Sequence, residues 1–184
     1  DAGVGDRSVT RNCGPDLVRV GAGLPVAAYR DEITTALHGG RAVIVAPPGT
    51  GKTTFVPPLV ASRCSGRVIV TQPRRVAARA AARRLATLTG TRPGEFASHT
   101  VHGESTTTRD TKVEFVTTGV LLRRLLSDPD LTGVDAVVLD EVHERHLDAD
   151  LVVAMVCEVA QLRDDLTIVA MSATVDSSGW AAFL

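Results

Sequence analysis

Aromatic residues make up only 3% of the 184-residue chain, with one Trp and one Tyr, which leaves little from which to build a platform for stacking nucleobases. Lysine is scarce as well: Lys52 and Lys112 are two of the 20 basic residues, and the other 18 are arginines. The cysteines, Cys13, Cys64 and Cys157, are odd in number, far apart and never in a CxxC pair. That spacing excludes a disulfide framework and a zinc ribbon and fits a reducing, cytoplasmic setting. No apolar run approaches the roughly 20 residues of a membrane-spanning helix, so no membrane partner is expected. The first residues, Asp1 to Arg7, hold neither a Met nor the apolar stretch of a secretory signal, and read as part of something longer. Net charge is lacking too. At −1, with a pI near 6.6, the chain has no overall pull on polyanions, and any nucleic-acid contact must come from local clustering.

What is present is the material for one core, 44% hydrophobic and 22% charged residues over the length of an ordinary domain. Residues 1–23 carry five glycines and no period and read as a loose lead-in, with the domain proper over 24–184. A helix is predicted from Pro25 to Leu37, closed by His38-Gly39-Gly40. Five β-branched runs then read as strands: Ala42–Val45, Val68–Val70, Val113–Val116, Ala136–Leu139 and Thr167–Ala170, with a weaker one at Ala97–Val101. Helical patterns separate them at Arg74–Leu88, Val120–Leu126 and Ala149–Leu162. The alternation predicts an α/β fold, a mostly parallel central sheet with helices on both faces.

Directly after the first strand stands Ala46-Pro47-Pro48-Gly49-Thr50-Gly51-Lys52-Thr53, followed by a helical pattern to Ser62. Strand, glycine-bearing loop, Lys, hydroxyl and helix is the order that aims backbone N–H groups and a helix N-terminus at a phosphate chain. Gly49 and Gly51 permit the tight backbone around Thr50. Lys52 is expected to reach the β and γ phosphates, Thr53 to ligate Mg²⁺, and Thr54 to add a hydroxyl nearby. Ala46 stands where the strict pattern has Gly, so the match is to a relaxed form.

The second constellation is Val137-Val138-Leu139-Asp140-Glu141-Val142-His143-Glu144-Arg145. An apolar strand carries Asp140 to its carboxyl end, the ligand-binding edge of an open α/β sheet, where it is placed to hold Mg²⁺. Glu141 follows as a second metal-side acid and as the residue that orients or deprotonates the attacking water. Two adjacent acids are costly to desolvate unless a cation lies between them. His143 to His146 is not a zinc-protease helix, because position 147 is Leu where the second histidine of that motif belongs. His38, His99 and His102 are expected to be solvated or satisfied locally.

With these segments in place, the chain resembles the superfamily 2 helicases of the DEAH/RHA type, most closely the bacterial HrpB-type ATP-dependent helicases. The strings APPGTGKTT (46–54), TQPRRVAARAAARRLA (71–86), TTGVLLRRL (117–125), DEVHERHLDADL (140–151) and MSAT (171–174) are similar to that family's motifs I, Ia, Ib, II and III, in the same order. The resemblance implies a first RecA-like P-loop NTPase domain that uses ATP and Mg²⁺, in an enzyme that moves 3′ to 5′ along single-stranded RNA. It implies that Ser172 and Thr174 couple nucleotide state to strand movement, that His143 helps relay it, and that Arg84 stacks on the adenine. It also implies that motifs Ia and Ib grip the sugar-phosphate backbone.

The residues of those two motifs agree in part. Arg74 and Arg75 follow Pro73 near a helix start, where phosphate contact is expected, and Thr117, Thr118 and Gly119 lie between a strand and a helix. Arg75, Arg79 and Arg83 share one helix face, but for Arg79 and Arg83 a solvated face in an arginine-rich chain serves at least as well. The chain stops just after motif III, so the second RecA-like domain with its arginine fingers is expected to be absent. Because such a finger is worth roughly 10³ to 10⁵ in turnover, the piece alone is expected to be weakly active or inactive. Alternatives are a P-loop ATPase acting on DNA, a motor that moves without unwinding, and a non-catalytic fragment that binds RNA or a protein.

Overall fold

Successive residues of a strand face opposite sides of a sheet, so a run such as Val68-Ile69-Val70 needs apolar cover on both. The computed structural model, which describes residues 14–144 and 147–174, provides that cover. Val68, Val70, Val138, Val169 and Met171 pack into one buried cluster, whereas Ile69, Val137, Leu139, Ile168 and Ala170 pack into another. The first cluster is closed by helices α1 (Leu17–Gly21), α2 (Arg30–Ala36), α3 (Lys52–Ala61) and α4 (Arg75–Thr89). The second is closed by α5 (Thr118–Ser127) and α6 (Leu147–Leu162). The expected sheet with helices on both faces is therefore the observed one.

Seven strands make the sheet: β1 (Arg41–Val45), β2 (Arg67–Gln72), β3 (Ala97–Val101), β4 (Glu104–Ser105), β5 (Val113–Thr117), β6 (Val134–Leu139) and β7 (Thr167–Ser172). Their order is β1-β7-β6-β2-β5-β3-β4, and every pairing is parallel except β3 with β4. Parallel pairing puts the carboxyl ends of β1, β7, β6, β2 and β5 along one edge. Gln72 is in register with Thr117 and Val45 with Ser172, so the segments that leave these strands emerge side by side.

Two sequence expectations change. The lead-in taken as loose through residue 23 contains α1, whose first turn is capped by the Asp16 carboxylate accepting from Val18 N and Arg19 N, both at 3.1 Å. Val20 is buried in the same cluster as Phe55, and a Cβ on Gly21 would stand 2.9 Å from the Phe55 ring. Glycine is what lets α1 lie this close to α3, so the packed region begins at least at Leu17. Residues 1–13 lie outside the described residues. The single helix expected over 25–37 is instead a 3₁₀ turn at Pro25–Tyr29, then α2, then a second 3₁₀ turn at Leu37–Gly39 that ends on Gly40 at φ 74°.

A charged side chain also lies inside this apolar sheet. Glu114, the second residue of β5, is fully buried and is held by Arg124, Arg67 and Thr100. Of the histidines, His38 and His102 are exposed, whereas His99 is buried with Nε2 2.8 Å from Glu104 Oε1.

Candidate active site

The phosphate loop leaves β1 and enters α3 through Gly51, which has φ 90° and caps the helix. A side chain there meets two obstacles, the left-handed backbone and the side chain of Leu24, which lies 2.9 Å from where a Cβ would stand. Gly51→Ala is therefore expected to destabilise the protein by about 1–2 kcal/mol. A thermal melt should read this as a fall of roughly 2–8 °C in Tm.

Within the loop, Thr50 Oγ1 donates to Pro47 O at 2.8 Å, and Thr54 N donates to Gly51 O at 3.1 Å. Gly49 is exposed at φ 79°. Lys52 is only 5% exposed, and its ammonium donates to the loop's own carbonyls, Ala46 O and, at 3.1 Å, Pro47 O. A buried ammonium satisfied only by carbonyl dipoles is poised for a stronger anionic acceptor in the loop's concavity.

Asp140 closes the other side. It is 6% exposed at the end of β6, and Thr53 Oγ1 donates to its Oδ2 at 2.5 Å. Gln72 Nε2 donates to the same oxygen at 2.6 Å, Glu141 N to Oδ1 at 2.9 Å, and Asp140 N in turn donates to Thr71 Oγ1 at 3.2 Å. Burial pushes the Asp140 carboxyl above its usual range; the bonds from Thr53 and Gln72 oppose the shift, and the neighbouring Glu141 charge adds to it. The Thr53 hydroxyl and the Asp140 carboxylate are hard oxygen donors in contact, and they fit Mg²⁺, which commonly takes only one or two carboxylates beside phosphate oxygens. Among the described residues no group of three His, Cys, Asp or Glu cages a metal.

Glu141 has φ 55°, left-handed for a residue with a Cβ, a strain of the kind that accumulates at functional sites. Its backbone turns the carboxylate to His143, with Oε2 3.3 Å from Nε2. Ala173 N donates to His143 Nδ1 at 3.4 Å, which makes Nδ1 the acceptor and leaves the Nε2 proton for Glu141. Thus the Glu141 carboxylate lies against His143, while Thr53 and Asp140 are the two oxygens in direct contact across the cleft.

The end of β7 stitches both loops together. Ala46 N donates to Ser172 O at 3.2 Å and Val142 N to Met171 O at 3.1 Å, while Thr174 N donates to Ser172 Oγ at 3.2 Å. The segment assigned to coupling is therefore bonded to the phosphate loop and to the acid loop at once. Arg145 and His146, part of the same acidic string, lie outside the described residues.

The two expected grips for a sugar-phosphate backbone sit at neighbouring helix starts. Arg74 and Arg75 begin α4, and Thr117, Thr118 and Gly119 begin α5; neither helix has a side-chain cap or an acid in its first turn. Uncapped N–H groups leave both helix starts open to an anion, with positive charge beside the α4 start at Arg74 and Arg75. Arg74 reaches only a long contact to Glu144, at 3.9 Å and largely exposed. Arg79 is not a free cation, since Glu104 binds it at 2.5 Å and is thereby lowered to a pKa of about 2, with His99 assisting. Arg83 and Arg84 are exposed on α4. A groove of about 590 Å³ beside the phosphate loop is walled by Pro25, Val26, Tyr29, Ile33, Val45 and Thr50, and Arg84 is not among its walls.

Sequence reasoning missed Thr71 and Gln72. Their signal was polar residues closing an apolar strand directly before Pro73, in a strand destined to lie beside the acidic one.

Known proteins carry the same arrangement. The chain is 44% identical over 158 residues to the ATP-dependent RNA helicase HrpB of Escherichia coli (strain K12), matching 84% of this chain and 20% of that protein. It is 35% identical over 158 residues to the ATP-dependent RNA helicase HrpA of Borreliella burgdorferi, matching 84% and 19%. A crystal structure of the Escherichia coli DEAH/RHA helicase HrpB is similar with a TM-score of 0.79 at 43% identity, over 83% of this chain and 20% of that one. The chain thus spans about a fifth of the length of these relatives. The family model for DEAD/DEAH box helicases matches residues 29–181, from the turn before α2 past the end of β7, and the chain accordingly belongs to the DEAD/DEAH box helicase family.

Proposed function

We propose that this chain is the ATP-binding half of a DExH-type ATP-dependent RNA helicase, coupling hydrolysis to movement along RNA or to its unwinding. The observation that carries the reading is the 2.5 Å bond between Thr53 and Asp140, because it joins a phosphate loop and an acidic strand end into one cleft. Lys52 would hold the β and γ phosphates, while Thr53 and Asp140 would hold Mg²⁺, with Gly49, Thr50, Gly51 and Thr54 shaping the cradle. Mg²⁺ there would neutralise charge on the phosphate oxygens. Glu141 orients and deprotonates the attacking water, with the His143 Nε2 proton steadying its carboxylate.

Single-stranded RNA is the proposed partner, gripped through its backbone by Arg74, Arg75 and the Thr117–Gly119 helix start. The relatives named as RNA helicases support RNA over DNA. Arg84 is proposed for the adenine, and a second RecA-like domain of the parent protein to face this one. A cytoplasmic setting is proposed from the wide spacing of the three cysteines.

The test is ATP turnover by the full-length protein titrated with single-stranded RNA and, separately, DNA, alongside a strand-displacement assay, with Lys52→Ala as the blank. Stimulation by RNA that Lys52→Ala abolishes supports the reading; stimulation by DNA alone replaces the substrate, and turnover that survives Lys52→Ala removes the site. In the same assay His143→Ala is expected to keep nucleotide affinity and lose about tenfold in RNA-stimulated turnover, equivalent to about 1.4 kcal/mol. Unchanged stimulation would take His143 out of the coupling path.

A further inference from the structure

We propose that Gln72 is a positioning residue for the divalent cation, fixing Asp140 from the strand that leads into the arginine-bearing helix. The inference rests on the nucleotide reading above but concerns a residue that reading does not use.

Gln72 is only 4% exposed, the last residue of β2, and among the described residues its side-chain amide makes one contact: Nε2 donates to Asp140 Oδ2 at 2.6 Å. An amide N–H has no lone pair to give a metal, so Gln72 cannot be a ligand through this group; it acts through the carboxylate. Asp140 Oδ2 accepts from two sides, from Thr53 at 2.5 Å on the phosphate-loop side and from Gln72 on the sheet side. The two donors differ in consequence. The Thr53 oxygen is itself a candidate ligand, so its bond to Asp140 must readjust when a cation enters, whereas Gln72 stays in place and holds the carboxylate plane through the change. Among the described residues, Oδ1 is held by Glu141 N alone, from the strained turn, at 2.9 Å. Gln72 is thus the donor to Asp140 that belongs to neither the phosphate loop nor the acid loop.

Burial makes the bond consequential. A carboxylate that is 6% exposed has little water at hand to replace a lost donor, and without Gln72 it would rotate toward Thr53, which weakens a metal site. Gln72 also precedes Pro73 and the Arg74-Arg75 start of α4 and is in register with Thr117, so a shift of either helix start would reach Asp140 through this amide.

The experiment is a Mn²⁺ titration of the full-length protein with ADP, read by the electron paramagnetic resonance of free Mn²⁺. It is run beside a fluorescent-ADP titration in chelator and a thermal melt, on the parent and on Gln72→Leu. We expect Mn²⁺ affinity to fall by about 10- to 100-fold, the usual cost of losing an outer-shell partner, with metal-free ADP affinity within about twofold of the parent. Unchanged Mn²⁺ affinity overturns the proposal, and so does an equal loss of both affinities, which marks a merely structural residue. Should Gln72→Leu fail to fold, Gln72→Asn, one methylene short of the carboxylate, is judged by the same two titrations. If the parent itself binds no ADP, the nucleotide reading fails; if it binds ADP and Mn²⁺ and the variant matches it, only the role of Gln72 fails.

Discussion

Glu141→Gln in the full-length protein is expected to lower RNA-stimulated ATP turnover by about 10²- to 10⁴-fold, the share a positioned general base contributes, while nucleotide affinity stays within about threefold. The substitution preserves shape. The amide oxygen can still accept from His143 Nε2, and the backbone at φ 55° is kept, so only basicity and charge are removed. Lys52→Ala should behave differently, since its ammonium is the cation the loop would present to the phosphates in ground and transition states alike, and binding and turnover should fall together. Equilibrium binding of a fluorescent nucleotide set against steady-state turnover separates the two patterns. A Glu141→Gln protein that turns over within threefold of the parent would take the general base away from Glu141 and move it elsewhere.

The contrast between these two residues shows what can be read from one dimension. The phosphate loop and the acidic strand end were legible because each combines an apolar run with a local break, Gly49 and Gly51 after β1 and Asp140-Glu141 after β6. The five main strands were legible for the same reason: apolar runs between turn signals leave few alternatives. Contacts between strands were not. Gln72 is 68 residues from Asp140 in sequence and meets it only because β2 and β6 are neighbours, an adjacency fixed by crossover topology rather than by local pattern. Arg79 read as one of several arginines on a helix face, and its partner Glu104 lies in a two-residue strand too short to carry a period. Helix α1 was missed because five residues, with Val20 buried and Leu17 packed beside it, are too few to show a repeat, and the glycine that read as looseness is the one that admits the Phe55 ring.

Arg124→Ala is expected to destabilise the protein by about 3–5 kcal/mol, the largest loss of stability foreseen for a single replacement, because it strands a buried charge. Glu114, the second residue of β5, is fully buried, and Arg124 binds it through two parallel bonds, at 2.9 and 2.8 Å. Arg67 at 3.2 Å and Thr100 at 2.7 Å remain in the variant, but the first donates one bond and the second is neutral. In the parent, burial pushes the Glu114 carboxyl up, and the bond and charge of Arg124, with Thr100 and Arg67, outweigh it, so the carboxyl titrates below its usual range. The folded state then holds its proton less tightly than the unfolded chain. Glu114 therefore contributes stability above the unfolded pKa, near 4.3, and that contribution fades as pH falls through the lower folded value. Without Arg124 the strongest group opposing burial is gone, and the folded value is expected to rise above the unfolded one. The sign reverses: the charge now costs stability at neutral pH, and protonation relieves the cost as pH falls. Urea unfolding at about pH 8 and about pH 5 should show the gap between parent and Arg124→Ala narrowing toward acid. A gap of constant size would mean that Glu114 stays ionised on Arg67 alone. The double replacement Arg124→Met with Glu114→Leu should recover part of the loss, since no buried carboxylate remains and Arg67, partly exposed, keeps water and the Thr108 carbonyl as partners.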